Sequence, residues 1–288
     1  MTIPISGKTR ICGMIGDPVE HTMSPAMHNA AFKKLGLDYV YIAFRAKGTE
    51  LDKAIAGMRA LNMRGLNVTI PHKVAVMKLL DRLDPLAEKI GAVNTIVNED
   101  GMLTGYNTDA TGFLQPLLEK GIKPKGKNIV LVGAGGASRG ISFVLAEGGA
   151  NLAILNRNLE RAEHLARQVF KNTGKTVTVA ELSAANLERT LGKADILVNA
   201  TSVGMTPDSN ETPVPARLLR RGLVVYDIVY NPVETRLLRE AKAAGAQIIS
   251  GLDMLVWQGA LAFEKWTGEK APVALMKRET MKILEPRR

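Results

Sequence analysis

The sequence predicts a two-domain α/β protein built on parallel strands. Three observations predict it. A chain of 288 residues, 46% of them hydrophobic, can bury a sizeable core and is long for one domain. Strand-like and helix-like segments alternate throughout, the pattern of parallel sheets crossed by helices. Beyond residue 128 the strand candidates are uninterrupted apolar runs, which suit strands covered on both faces.

Residues 11–16 (ICGMIG) read as the first strand. Residues 24–36 (SPAMHNAAFKKLG) read as a helix, with Ser24 as N-cap, Pro25 at the first helical position and Gly36 at the end. A strand over 39–44 and a helix over about 50–61 follow. In LNVTIPHKVAV (66–76), Val68 and Ile70 alternate with Thr69 as in a strand. Pro71 then suits the first turn of a helix, and Val74, Met77 and Leu80 follow at helical spacing. This places Lys73 at the positive end of a helix dipole, where a cation is disfavoured.

Residues 92–107 read as a hairpin turning at Asp100-Gly101. Residues 108–121 read as a connecting helix, and 122–128 as a basic lead-in to the apolar strand NIVLV. Further strands are expected within 150–157, 195–202 and 223–230. A domain boundary falls near residue 108, and a helix within 253–266 suits either domain.

Composition narrows the function. The formal net charge of +10 raises the question of a nucleic-acid partner. The excess is spread out, with 13 basic and 10 acidic residues in 1–108, 18 and 13 in 109–252, and 7 and 5 in 253–288. Aromatic residues for base stacking are sparse at 5%, so no nucleic acid is expected, only a bias towards anionic small molecules. The lone Cys12 excludes an intramolecular disulfide and fits a reducing compartment. Neither a signal-like segment in MTIPISGKTR nor a run of roughly 18 apolar residues is present, so a soluble, cytoplasmic protein with no membrane partner is expected. His21, His28, His72 and His164 have no partners at metal-ligand spacing, so no metal is expected, and no Gly-x-Ser-x-Gly elbow exists.

GAGGASRG (133–140) follows a strand and opens a helix. Gly133, Gly135 and Gly136 allow a tight turn and close approach of backbone to a pyrophosphate, with a helix N-terminus facing the anion. Ser138 stands where a dinucleotide fingerprint has its last glycine. Asn156 lies 23 residues after Gly133, where NAD-binding folds carry an acid for the ribose hydroxyl. Asn156, Arg157 and Asn158 occupy that place, with Arg161 one turn on. A carboxylate would repel a 2′-phosphate, whereas arginine can hold it bidentately, so the cofactor reads as NADP.

Other polar residues have ordinary uses when taken singly. Asp109 at a helix start, Thr22 and Ser24 are capping residues, and Asn67, Thr69 and Asn94 suit turns. Lys73 alone is a surface lysine. Together with their neighbours they form an ordered set: EHTMSPAMHNAA, NVTIPHK, IGAVNTI, GYNTDATG, GAGGAS, NRN, NATSVGM, DIVYNP and GLDMLVWQGA. From about Ile11 to Trp266 this order resembles the shikimate dehydrogenase family.

The resemblance implies a discontinuous α/β substrate domain, 1–108 completed by 253–288, and a Rossmann-like NADP domain with a parallel sheet over 109–252, flanking a cleft. It implies reversible NADPH-dependent reduction of 3-dehydroshikimate to shikimate, a step of aromatic amino-acid biosynthesis. It makes Lys73 and Asp109 the catalytic pair. Thr22, Ser24, Thr69, Asn94 and Gln258 match positions that bind substrate hydroxyls and carboxylate, Tyr230 lines the site, and Asn67 lies at the same wall. Gly133, Ala134, Gly135, Gly136, Ala137, Asn156, Arg157, Asn158, Arg161, Thr201, Ile228 and Gly251 match positions around NADP. Two departures stand out: Thr22 where Ser is usual, and Ala110 where Gly is common. Thr22 leaves a quinate/shikimate dehydrogenase of broader NAD(P) specificity as the alternative. A homodimer is left open. A lysine placed against a carbonyl answers the charge that hydride addition develops there, and it can deliver a proton.

Overall fold

The computed structural model describes residues 5–284. The first four and last four residues, included in the expected outer domain segments and in the reading of MTIPISGKTR, lie outside the described residues. The elements in chain order are β1 (Arg10–Gly16), α1 (Ser24–Leu35), β2 (Tyr39–Arg45), α2 (Leu51–Ala60), β3 (Gly65–Val68), β4 (Arg82–Leu83), α3 (Pro85–Ile90), β5 (Thr95–Glu99) and β6 (Met102–Tyr106). There follow α4 (Thr108–Glu119), β7 (Asn128–Val132), α5 (Gly136–Glu147), β8 (Asn151–Asn156), α6 (Leu159–Thr173), β9 (Thr178–Glu181), α7 (Ala184–Leu191) and β10 (Ile196–Asn199). The last elements are β11 (Val224–Asp227), α8 (Arg236–Ala243), β12 (Gln247–Ser250), α9 (Gly251–Thr267) and α10 (Val273–Leu284). Two compact units result. The chain leaves unit 1 after Thr108 and returns to it at Val256, inside α9. No helix among the described residues is long and apolar enough to cross a membrane.

Unit 1 carries a six-stranded sheet in the order β2-β1-β3-β5-β6-β4. The strands β2, β1 and β3 are parallel, but β5 runs antiparallel to both β3 and β6, so this sheet is mixed. The hairpin accounts for the antiparallel pairing of β5 with β6. Asp100 (φ 51°) and Gly101 (φ 91°) both take the left-handed backbone that a tight two-residue turn requires, and Asn98 Oδ1 accepts the Gly101 N–H at 2.8 Å.

The returning segment is anchored by Trp266, which is fully buried. Its Nε1 donates to the Ile96 carbonyl at 3.0 Å, and Arg64 Nε donates to the Trp266 carbonyl at 2.7 Å. Gly65 leaves the room: a Cβ there would overlap the indole. Phe32, Tyr39 and Phe263 stack in the same aromatic group, where His28 lies over Tyr41 with centroids 4.4 Å apart.

Two local expectations are corrected. No α-helix follows Pro71. Residues 71–74 make a turn, and a 3₁₀ helix spans only Ala75–Leu79. The spacing of Val74, Met77 and Leu80 fits a three-residue period as well as an α-helix. The core-facing residue is Val76, fully buried, whereas Val74 is 56% exposed. Lys73 lies in that turn, its carbonyl accepting the Val93 N–H at 2.8 Å. Ser24 is not an N-cap either. It is itself the first helical residue, Met23 precedes it, and no side chain caps the helix.

Unit 2 has an all-parallel sheet, β12-β11-β10-β7-β8-β9. Its core packs Val130, Val132, Leu155, Leu197 and Val225 against Leu187, Leu237 and Leu238. The edge strands β9 and β12 were not anticipated. Each is four residues long, reads TVAE or QIIS, and buries only one residue fully, so neither presents a continuous apolar run. Phe113 of α4 stacks on Tyr226 of β11 with centroids 4.6 Å apart. A Cβ on Gly140 would meet the Ala110 Cβ at 3.4 Å, so α5 accommodates alanine at 110 by carrying a glycine opposite it.

Gly65→Ala should force Trp266 out of place. Overpacking of this kind costs about 1–3 kcal/mol, read as a lower urea midpoint. An unchanged midpoint would show that the indole does not depend on the missing side chain.

Candidate functional site

In unit 2 the dinucleotide-type turn is shaped by what cannot be there. Gly133 has φ 110°, and a Cβ on it would lie 2.9 Å from both the Ala200 carbonyl oxygen and Thr201 Cγ2. Its N–H donates to the Leu155 carbonyl at 2.8 Å. Gly135 caps α5, and Gly136 opens it. No heavy atom comes within 4 Å of a Cβ built on either one, so this end of the helix is free to meet an anion. Ala134 and Ala137 complete the turn. Ser138 explains its own departure from glycine: it is fully buried, and its Oγ accepts the Gly135 N–H at 3.1 Å.

At the end of β8, Asn156 Nδ2 donates to the Asn158 carbonyl at 2.8 Å. Asn158 caps α6, its Oδ1 accepting the Arg161 N–H at 3.0 Å. Arg157 and Arg161 are both exposed. Neither guanidinium makes a hydrogen bond or ion pair among the described residues, so both are available to a phosphate. These features fit NADP: a turn only glycine can make, an open helix end, and free arginines where an acid would stand for NAD.

The loops after β10 and β11 share one buried network. Thr201 donates twice to Asn199 Oδ1, from its N–H at 3.1 Å and its hydroxyl at 2.7 Å. Asn199 Nδ2 donates to Asp227 Oδ1 at 2.9 Å. Asp227 also accepts the Val229 N–H at 3.1 Å and the Thr235 hydroxyl at 2.7 Å. Burial pushes its carboxyl up to about 6, against these three hydrogen bonds, which pull it down. Gly251 packs on Ile228, whose carbonyl a Cβ would overlap, and Tyr230 is 37% exposed.

Unit 1 gathers a second polar group. The Tyr41 hydroxyl donates to Asn67 Oδ1 at 2.7 Å. Burial raises this phenol well above its ordinary value. Asn67 Nδ2 donates to Thr95 Oγ1 at 3.1 Å and to the Asn94 carbonyl at 3.3 Å. The Asn94 side chain accepts the Thr108 N–H at 2.7 Å and reaches Gln258 Oε1 at 3.5 Å. Thr22 Oγ1 accepts the Ser24 N–H at 3.3 Å. Thr69 follows β3, against Gly16, where a Cβ would overlap its methyl. Lys73 is half-buried and four residues beyond Thr69.

The structure thus brings Asn67, Asn94 and Gln258 into one hydrogen-bonded group with Thr95, and separately joins Thr22 to Ser24. Asp109 and Tyr230 belong to unit 2, where Asp109 is the second residue of α4. His72, adjacent to Lys73, is buried and places Nε2 2.7 Å from the Ala46 carbonyl, a structural contact. Sequence reasoning missed Tyr41, Asn199, Asp227 and Thr235. Asn199 and Asp227 do lie in the motifs NATSVGM and DIVYNP, but nothing local marks them as partners.

A parallel-sheet dinucleotide unit joined to a second α/β unit with a clustered polar group defines a nicotinamide-dependent oxidoreductase of the two-unit kind. The comparisons make this specific. The shikimate dehydrogenase substrate binding domain matches residues 14–96, shikimate / quinate 5-dehydrogenase matches 117–229, and the shikimate 5′-dehydrogenase C-terminal domain matches 251–281. The chain belongs to the shikimate dehydrogenase family. A relative from Methanopyrus kandleri, shikimate dehydrogenase (NADP(+)), is 50% identical over 287 residues, 99% of each chain. A crystal structure of a shikimate dehydrogenase in complex with NADP+ is 46% identical, with a TM-score of 0.93 over 98% of each chain. The Listeria monocytogenes shikimate 5-dehydrogenase, in complex with shikimate and NAD, is 43% identical, with a TM-score of 0.91 over 96% of this chain and 98% of that one.

The buried Asp227 gives stability a defined pH dependence. Its folded value, about 6, lies above the ordinary 3.8, so ionisation opposes folding. The penalty is absent below about pH 4, grows as pH rises, and is complete above about pH 6, reaching roughly 3 kcal/mol. Unfolding free energies of wild type and Asp227→Asn, compared at pH 4 and pH 7, should therefore shift in favour of the variant at the higher pH. A difference independent of pH would mean that the carboxyl ionises at its ordinary value.

Proposed function

We propose that the protein catalyses the reversible NADPH-dependent reduction of 3-dehydroshikimate to shikimate, in the biosynthesis of aromatic amino acids. The observation that carries this reading is the 50% identity, over 99% of each chain, to an NADP-dependent shikimate dehydrogenase. The lone, buried Cys12 fits a reducing cytoplasmic setting.

The substrate bears one carboxylate, several hydroxyls and the carbonyl that is reduced. Thr22 and Ser24 bind the carboxylate. Asn67, Thr69, Asn94 and Gln258 bind hydroxyls, and Tyr230 lines the site. The support for Ser24 is that its hydroxyl serves no helix cap, and for Asn67 and Asn94 that both are buried yet joined to other polar side chains. Gly133 to Ala137 receive the pyrophosphate at the start of α5. Asn156, Arg157, Asn158 and Arg161 meet the 2′-phosphate, and Thr201, Ile228 and Gly251 complete the cofactor site.

NADPH, when bound, supplies the hydride. The residues of this chain stabilise the oxygen that becomes negative. The Lys73 ammonium opposes that charge and delivers the proton, and the Asp109 carboxylate favours the charged amine and fixes its orientation. A helix dipole plays no part at Lys73, since only a short 3₁₀ turn follows it.

The test is steady-state oxidation of shikimate and quinate, each with NADP and NAD. Shikimate with NADP should be the best pair. Equal use of quinate would favour the broader alternative, for which the extra methyl of Thr22 is the motivating residue. Lys73→Ala should lower kcat by roughly 10²–10⁴-fold, far more than it raises the KM for shikimate. A kcat within a few-fold of wild type would remove Lys73 from the mechanism.

Cofactor choice is a separate measurement. Charge-assisted hydrogen bonds from exposed arginines should give at least about a tenfold preference for NADP in kcat/KM, shrinking as salt rises. Arg157→Ala combined with Asn156→Asp should reverse it, mainly by losing NADP. Equal kcat/KM for NAD and NADP at low salt would refute the phosphate clamp.

A further inference from the structure

We propose that Asp227 is a positioning residue for the cofactor: its carboxylate sets the orientation of Asn199, which holds Thr201 against the glycine turn. The inference rests on the reading of unit 2 as the NADP-binding unit.

The geometry requires a definite polarity along this chain of contacts. Asn199 is fully buried, so its amide cannot borrow water to satisfy the wrong orientation. Thr201 presents two donors, its N–H and its hydroxyl, and both end on Asn199 Oδ1. The amide oxygen must therefore face Thr201, and Nδ2 must face acceptors. Two acceptors are there: Asp227 Oδ1 at 2.9 Å and the Val203 carbonyl at 3.3 Å. A carboxylate can only accept, so it fixes the amide in this orientation. An amide at position 227 can turn a donor towards Nδ2. Asn199 then either loses that bond or rotates, and rotation points its NH₂ at the two donors of Thr201.

Thr201 matters because of where it sits. Its Cγ2 and the Ala200 carbonyl are the atoms that bar a side chain from Gly133. Moving the Thr201 loop therefore changes the floor of the turn that receives the pyrophosphate. The same carboxylate takes the Val229 N–H, next to Ile228, so one buried group registers both loops of the cofactor site. Its bond to Thr235 is of another kind. Thr235 caps α8 by accepting the Leu238 N–H at 3.3 Å, and α8 carries no residue of the cofactor site.

That difference supplies the test. Thr235→Ala and Asn199→Ala each remove one donor from Asp227, but only Asn199→Ala cuts the path to Thr201. NADP affinity is measured by calorimetry on the full chain, and the KM for shikimate at saturating NADP. Asp227→Asn and Asn199→Ala should each weaken NADP binding by about tenfold or more while leaving the shikimate KM within about twofold. Thr235→Ala should lower Tm yet keep NADP affinity within about twofold of wild type. Unchanged NADP affinity in Asp227→Asn and Asn199→Ala would overturn the proposal. So would equal losses in all three variants, which would mark a purely structural role. If Asp227→Asn does not fold, the contrast between Asn199→Ala and Thr235→Ala decides alone. A wild-type protein that binds no NADP would overturn the underlying reading of unit 2, a result distinct from either.

Discussion

Unit 1 depends on one contact, the Trp266 indole against the backbone of Gly65. A domain made from two stretches of chain must hold the second stretch in place, and Trp266 does so with shape and hydrogen bonds together. The missing side chain at 65 admits the ring, the Ile96 carbonyl takes its N–H, and Arg64 returns a bond to the Trp266 carbonyl. The notch lies on β3, the acceptor on β5 and the ring on α9, so a single residue registers the returning helix to the sheet. Gln258 lies two turns earlier on that helix, and the reach between Asn94 and Gln258 follows from this registration.

The two units handle charge in opposite ways. The arginines at the end of β8 are exposed, so their attraction for a phosphate acts through water and is open to screening by salt. Asp227 is buried and meets its partners where solvent does not compete, at the expense of a raised carboxyl value. The first arrangement suits a ligand that must come and go. The second suits a fixed geometry.

The parts of the fold legible in the sequence were those set by neighbours in the chain. The Asp100-Gly101 turn and the glycine turn at Gly133 are local, and the backbone angles agree with them. The helix expected after Pro71 failed for a physical reason. Three apolar residues three apart do not distinguish a 3₁₀ turn from an α-helix, and the residue that reaches the core, Val76, stands outside that set. Ser24 misled because a serine before proline has the look of a cap whichever residue begins the helix. The Asn199–Asp227–Thr235 network was invisible because its members are 28 and 8 residues apart, on elements joined only by the sheet. Of the residues expected at the substrate wall, the structure joins Asn67, Asn94 and Gln258, which no local pattern would connect.

The Asn94 side chain holds Thr108, the last residue before the chain leaves unit 1, and reaches Gln258, just after it returns. The order of synthesis gives this a consequence. A ribosome delivers all of β1 to β6 and then the whole of unit 2 before it delivers the part of α9 that returns to unit 1, from Val256 on. Until then the notch at Gly65 has no counterpart, so the nascent first unit carries an apolar gap through the making of 147 further residues, from Asp109 to Leu255. The segment that completes it emerges only after unit 2, and a nascent chain halted before α9 would present that gap to chaperones or to other chains.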